Sequence, residues 1–359
     1  MLGIIGLLLG VAFIIVAIYK GWSLPIVMIL GSIIVVVFNG IPLTDAFATM
    51  LEGLGTMCRI FAPLYLFSCI LATLYINSGA GISMGEACMK LCGKNASPKK
   101  QRLTAVIVIL LVGTLICWSV DSFLLHAGIA VCLMAVTNIP RKYVVTFTMV
   151  SSTIAVSMPG HMSLNNLLDN FLAGDRLSAF WPGLIGAIFV FVGSVFIISR
   201  DIERDVAKGM TFDYGPLKPV DENENGTRPN AIFGLIPLVL MIVLYLVAGL
   251  DAWIVLAIGA IVAYVLFAKS LSQRTGKNVV ETLKITLNEG VQMAGMPIVM
   301  IFNSTFGYAV GMTSAIGTIA NGFLSLPGNP LISYALMSTV TIGLANSSAG
   351  VVTCCLIAK

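Results

Sequence analysis

Residues 103–137 read LTAVIVILLVGTLICWSVDSFLLHAGIAVCLMAVT, between Lys99, Lys100 and Arg102 on one side and Arg141 and Lys142 on the other. A helix crosses the hydrocarbon of a bilayer with about 20 apolar residues, so this run is too long for one span. It is broken by the polar stretch Cys117-Trp118-Ser119-Val120-Asp121-Ser122. Short loops rich in Lys and Arg stay in the cytoplasm, which puts both ends of the run on the same side. The chain must therefore enter and turn back, as a re-entrant hairpin or as two tightly joined spans. Its tip would lie at 117–122.

The whole chain supports a lipid setting. Of 359 residues, 58% are hydrophobic and 10% charged, against about a quarter charged in a soluble domain. With a mean hydropathy of +1.00, such a chain cannot cover itself in water. Its 35 glycines sit within apolar runs, where they let helix backbones approach closely. None of the eight cysteines forms a CxxC pair, and Cys88 and Cys92 have only His126 and His161 as companions. No metal site and no cofactor are expected. The chain holds no GxxxxGK[ST] loop, HExxH or GxSxG, so neither nucleotide-driven work nor hydrolysis is indicated. The first residues, to Tyr19, lack a basic n-region and a cleavage site and read as a retained first span.

Apolar runs occur at 2–19, 24–40, 56–76, 103–137, 143–168, 177–198, 231–249, 252–268, 291–310 and 330–358. The run 143–168 is interrupted around Pro159-Gly160, which oppose a continuous helix. The stretch Gly81–Cys92 reads as an amphipathic helix along the cytoplasmic interface. Residues 199–230, with Arg200, Arg204, Lys208, Lys218 and Arg228, read as a cytoplasmic linker. It separates a first repeat, 1–198, from a second, 231–359.

The two halves share a pattern. Pro63 lies in a span leading to Asn77-Ser78-Gly79, a short helix and a broken run. Pro297 lies in a span leading to Gly311-Met312-Thr313-Ser314, a short helix and a run broken at 345–350. By the charges, the first hairpin enters from inside and the second from outside. The expected fold is an all-α polytopic membrane protein, an inverted-repeat secondary transporter with re-entrant hairpins and discontinuous helices. Scaled on the first half, the second repeat is incomplete by roughly 80–90 residues, so truncation is expected.

Non-helical backbone at membrane depth is tolerated where it lines a cavity or is buried in protein, and half-helix N-termini there attract carboxylates. The substrate candidates are Ser119 and Ser122 at the first tip, and Asn346, Ser347 and Ser348 at the second. From the break in 143–168 come Ser157, Gly160, Ser163, Asn165 and Asn166. Asp121, the only formal charge between Arg102 and Arg141, is the candidate ion-coupling residue, with helix capping as its alternative role. His161 beside the Pro-Gly break is a second coupling candidate, or a neutral ring bonded to a freed carbonyl. His126 and Trp118 read as packing residues.

The opening MLGIIGLLLG, the segments APLYLFSCILATLYINSGAG (62–81), NIPRKY (138–143) and STIAVSMPGHMSLNN (152–166), and IGLANSSAGVV (342–352) together resemble the gluconate permeases, the gluconate:proton symporter family of the ion-transporter superfamily. The resemblance implies scaffold and transport domains, two hairpins, a homodimer, and uptake of gluconate or a related hydroxy-carboxylate with a proton. It implies a multi-pass protein of the inner (plasma) membrane, with no nucleic-acid partner. Asp121, and His161-Met162 after the Pro-Gly pair, depart from the family pattern. A sodium-coupled carboxylate transporter or an ion antiporter is the alternative within the superfamily. A channel or a membrane-embedded enzyme is the rival class.

Overall fold

The computed structural model describes residues 2–90, 92–93, 96–120, 122–158, 180–213, 215, 227–325, 333 and 336. Among them there are helices and turns but no strands. In chain order the helices are α1 (Leu2–Tyr19), α2 (Leu24–Phe38), α3 (Leu43–Asn77), α4 (Ala80–Lys90), α5 (Pro98–Val120), α6 (Phe123–Thr137) and α7 (Tyr143–Ser157). Then come α8 (Phe180–Ala207), α9 (Ala231–Leu246), α10 (Ala252–Thr275), α11 (Val279–Met300), α12 (Asn303–Gly311) and α13 (Ser314–Leu324). Six segments, Leu2–Tyr19, Leu43–Asn77, Pro98–Val120, Phe180–Ala207, Ala252–Thr275 and Val279–Gly311, are long and apolar enough to cross a membrane. Large side chains on α8 stand bare, Phe189 at 80% and Phe196 at 70% exposure. That surface is stable against lipid and not against water. The chain is an all-α, multi-pass membrane protein.

The described residues fall into two compact units whose boundaries lie inside helices, at Pro63 in α3 and between Ala294 and Gly295 in α11. The first unit holds α1, α2, the start of α3, the end of α11, α12 and α13. Its core joins Leu7 and Ile14 of α1, Val27 and Val35 of α2, and Phe306 and Val310 of α12. Small residues allow the α1–α2 contact: a Cβ on Gly31 would stand 2.7 Å from the Ile14 side chain. Ile319 of α13 packs against the same core. At the far end Ala309 and Met312 meet Val36 and Ile41, so α12 finishes beside the C-terminus of α2.

The second unit runs from Leu64 to the end of α7 and from α8 to Ala294. Here α9 and α10 form the helical hairpin. The second part of α3 lies on α10, with Tyr75 edge-on to Phe267 and Phe67 stacked on Trp253. The short helix α4 meets α9 where the Met84 sulfur fills the space beside Gly234. The fully buried Arg274 donates from Nε to the Asn77 carbonyl at 3.2 Å, so α3 finishes beside the C-terminus of α10. A cation there satisfies an orphan carbonyl and faces the negative end of the helix. The Asn77 amide in turn donates to Glu289 on α11.

Each unit thus contains the same arrangement: a two-helix hairpin, the end of a proline-bearing helical segment laid on its second helix, and a short helix on its first. Pro63 and Pro297, Asn77 and Gly311, Ala80 and Ser314, and Lys90 and Leu324 are all separated by 234 positions. The compact units nevertheless do not coincide with the two sequence halves. Each combines the opening hairpin of one half with later elements of the other.

Three features differ from the sequence reading. Residues 199–207 continue α8 rather than opening the linker, because their charges alternate along a helix face, with Asp201–Arg204 and Asp205–Lys208 spaced i,i+3. Helix α4 is wedged between neighbours, not laid along a surface: Ala80, Gly81, Ile82, Met84 and Gly85 are buried, and Gly81 lies against Cys132 of α6. The break in 103–137 is narrower than its polar composition suggests, since α5 continues through Val120 and α6 starts at Phe123. Ser119 does not interrupt the helix because its hydroxyl bonds back to the Leu115 carbonyl at 2.7 Å.

Candidate functional site

Helices α5 and α6 form an antiparallel hairpin within the second unit. The 15 residues of α6 rise about 22 Å, short of the roughly 30 Å hydrocarbon thickness. Its packing is close: the His126 ring lies on Gly113 of α5, and Gly128 lies on Ala72 of α3. Both ends of α6 are capped. Asn138 takes the left-handed conformation that closes the helix, φ 53°, and its side-chain oxygen accepts from the Phe212 amide at 2.8 Å.

The opposite cap defines the tip. Ser122 accepts the Leu125 amide at 3.2 Å, the ordinary N-cap bond. Its hydroxyl donates to Ser68 on α3 at 2.7 Å, and Ser68 donates to the Leu64 carbonyl at 2.6 Å. Both serines are fully buried. This chain of hydroxyls caps α6 and ties the tip to α3 in one continuous relay. Beside it, Phe123 meets Tyr65 edge-on.

The third contributor is α7. It ends at Ser157, where Met158 adopts extended backbone, ψ 138°, as the residue before a proline is driven to do. Its last turn reaches the hairpin tip: Ala155 is buried against Cys117, with Trp118, Phe123 and Val156 around them. The end of α5, the start of α6, the end of α7 and the Ser68 turn of α3 therefore meet at one place.

Of the substrate and coupling candidates read from the sequence, three are described. Ser119 and Ser122 are buried and internally bonded. Ser157 is half-exposed, and its hydroxyl donates to the Thr153 carbonyl. Asp121, Gly160, His161, Ser163, Asn165, Asn166, Asn346, Ser347 and Ser348 lie outside the described residues. The N-cap bond to the Leu125 amide comes from Ser122. Ser68 escaped the sequence reading because a serine in mid-helix carries no pattern signal; only packing pairs it with the tip.

The Ser122–Ser68 relay carries a first prediction. Ser122→Ala removes an N-cap and should cost about 1 kcal/mol of stability, seen as a lower unfolding temperature in detergent. A Ser68→Ala/Ser122→Ala cycle should show coupling between the two. Unchanged stability in Ser122→Ala would contradict the capping role. In comparisons with known proteins, no family model matches this chain, and no curated protein matches it in sequence.

Proposed function

We propose that the protein is a secondary transporter that takes up a small organic anion across the cell's inner (plasma) membrane together with a proton or sodium ion. One observation supports this most: the same four-part helical arrangement built twice, from segments 234 positions apart. The charges suggest opposite membrane orientations for the two copies. In the second unit the joined helix ends carry Arg274, Lys277 and Arg228, whereas the α9–α10 turn holds no basic residue. In the first unit the α1–α2 turn carries Lys20, and the joined ends at Phe38–Ile41 and Gly311–Ser314 hold none. Read by the positive-inside preference, this is an inverted repeat, the architecture of alternating access.

In this reading α5–α6 is a re-entrant hairpin from the cytoplasmic side, and α7 is the first half of a discontinuous helix. The α6 N-terminus offers partial positive charge to a carboxylate. Ser157 and the polar residues after it, with the polar break at 346–348, would bind hydroxyls and carboxylate oxygens. The resemblance to gluconate permeases suggests gluconate or another hydroxy-carboxylate as substrate, with Asp121 and His161 as proton or sodium sites, in a homodimer.

Counterflow tests the reading. In proteoliposomes, preloading with gluconate, citrate, lactate or hydroxybutyrate should drive entry of the labelled same anion for at least one of them. Absence of exchange for every anion would overturn it, and an imposed proton or sodium gradient identifies the coupling ion.

A further inference from the structure

A groove of about 930 Å³ opens between the first turns of α5 and the last turns of α8. Its two ends differ in chemistry. Toward the α5 N-terminus and the α8 C-terminus it is lined by Lys99, Lys100, Arg200 and Arg204; along the helices it is lined by Leu103, Val192 and Phe196. The acids present do not cancel the cations. Glu203 is occupied by a bidentate pair with Arg102, at 2.7 and 2.8 Å. Asp201 lies 3.8 Å from Arg204. Lys99, Lys100 and Arg200 make no ion pair with a described residue.

We infer that this groove binds the phosphate headgroup of an anionic membrane phospholipid, with an acyl chain along Leu103, Val192 and Phe196. Two features converge on that ligand. The lysines and arginines stand at helix ends bearing the charge pattern of a cytoplasmic face, where such clusters draw anionic lipid. The α5 N-terminus, capped by Ser97, adds its partial positive charge. The apolar wall is continuous with the bare face of α8, so a bound lipid keeps its tail in the hydrocarbon. A second copy docked here through the same face would set its own Lys99, Lys100 and Arg200 against these cations, which like-charge repulsion disfavours.

Native mass spectrometry of the full chain in detergent tests the inference, using phosphatidylglycerol and phosphatidylcholine with identical acyl chains. Phosphatidylglycerol should be retained in preference to phosphatidylcholine. Its affinity should fall about fivefold for each cation removed, hence about fivefold in Lys99→Gln and about 25-fold in Lys100→Gln/Arg200→Gln. The pair Lys269→Gln/Lys277→Gln, exposed elsewhere on the same basic face, should bind as the parent does. Lys99→Gln, a single exposed change, keeps the test open if the double variant folds poorly. Equal retention of the two lipids, or equal loss in both double variants, would overturn a localised site. Displacement of the lipid by millimolar inorganic phosphate or glycerol phosphate would overturn the lipid in favour of a soluble phosphate. Dimers that form only without bound lipid, and are lost in Lys100→Gln/Arg200→Gln, would overturn it in favour of a second copy.

Discussion

Asp121→Asn is expected to abolish uphill accumulation of the transported anion while leaving exchange down its gradient intact. Asp121 is the only formal charge between Arg102 and Arg141, and its neighbours Val120 and Ser122 are buried. A carboxylate within such a segment is expensive and needs a reason to persist. The N-cap bond to the Leu125 amide is made by the neighbouring Ser122. If Asp121 carries the coupling ion, neutralising it removes one charge from the transport cycle. At a potential of 100 mV that charge is worth about 2.3 kcal/mol, roughly a 50-fold accumulation ratio. Uptake under an imposed gradient should fall to the equilibration level, while counterflow between equal concentrations continues. Accumulation with unchanged proton and sodium dependence would sink the coupling role.

Gly113→Ala should destabilise the hairpin by about 2–3 kcal/mol, the usual penalty for forcing an added group into a packed interior. A Cβ at this position would stand 2.2 Å from the His126 ring. The ring is fully buried on α6 and has no free end to swing aside. The strain should separate α5 from α6 and disturb the tip that Ser122 holds. His126→Ala alone should also destabilise, by leaving a cavity. The double variant Gly113→Ala/His126→Ala should be less damaged than the sum of the two, since the methyl then enters vacated space. Thermal unfolding of the four proteins in detergent measures the coupling. Strict additivity would show that the ring and the glycine do not meet.

Much of the architecture was legible before any coordinates. The helices follow from apolar runs bounded by charges, and the hairpin from two basic groups flanking one overlong run. The proline spacing anticipated the matched helix ends at Asn77 and Gly311. Other features were not legible, for physical reasons. Nothing in the composition of 199–207 separates a solvated helix end from a linker, because charged residues serve both. The amphipathic pattern of Gly81–Cys92 fits an interface or a protein groove equally, and Gly234 on a distant helix makes the groove.

The candidate site divides along the same line. Sequence pointed to polar residues at three breaks because polar atoms in an apolar run need partners, and it marked Asp121 because a lone charge there is costly. It did not find Ser68 or the pairing of Cys117 with Ala155, which join residues far apart in the chain. Local composition by itself determined that this is a helical membrane protein and where the chain turns back between α5 and α6. Such properties depend on hydropathy and charge along a short stretch of backbone. Only the tertiary structure decided which helices share a unit, that Ser122 caps α6, and that the end of α7 meets the hairpin tip. Those depend on side-chain shape and hydrogen-bond geometry between segments that sequence periodicity leaves unpaired.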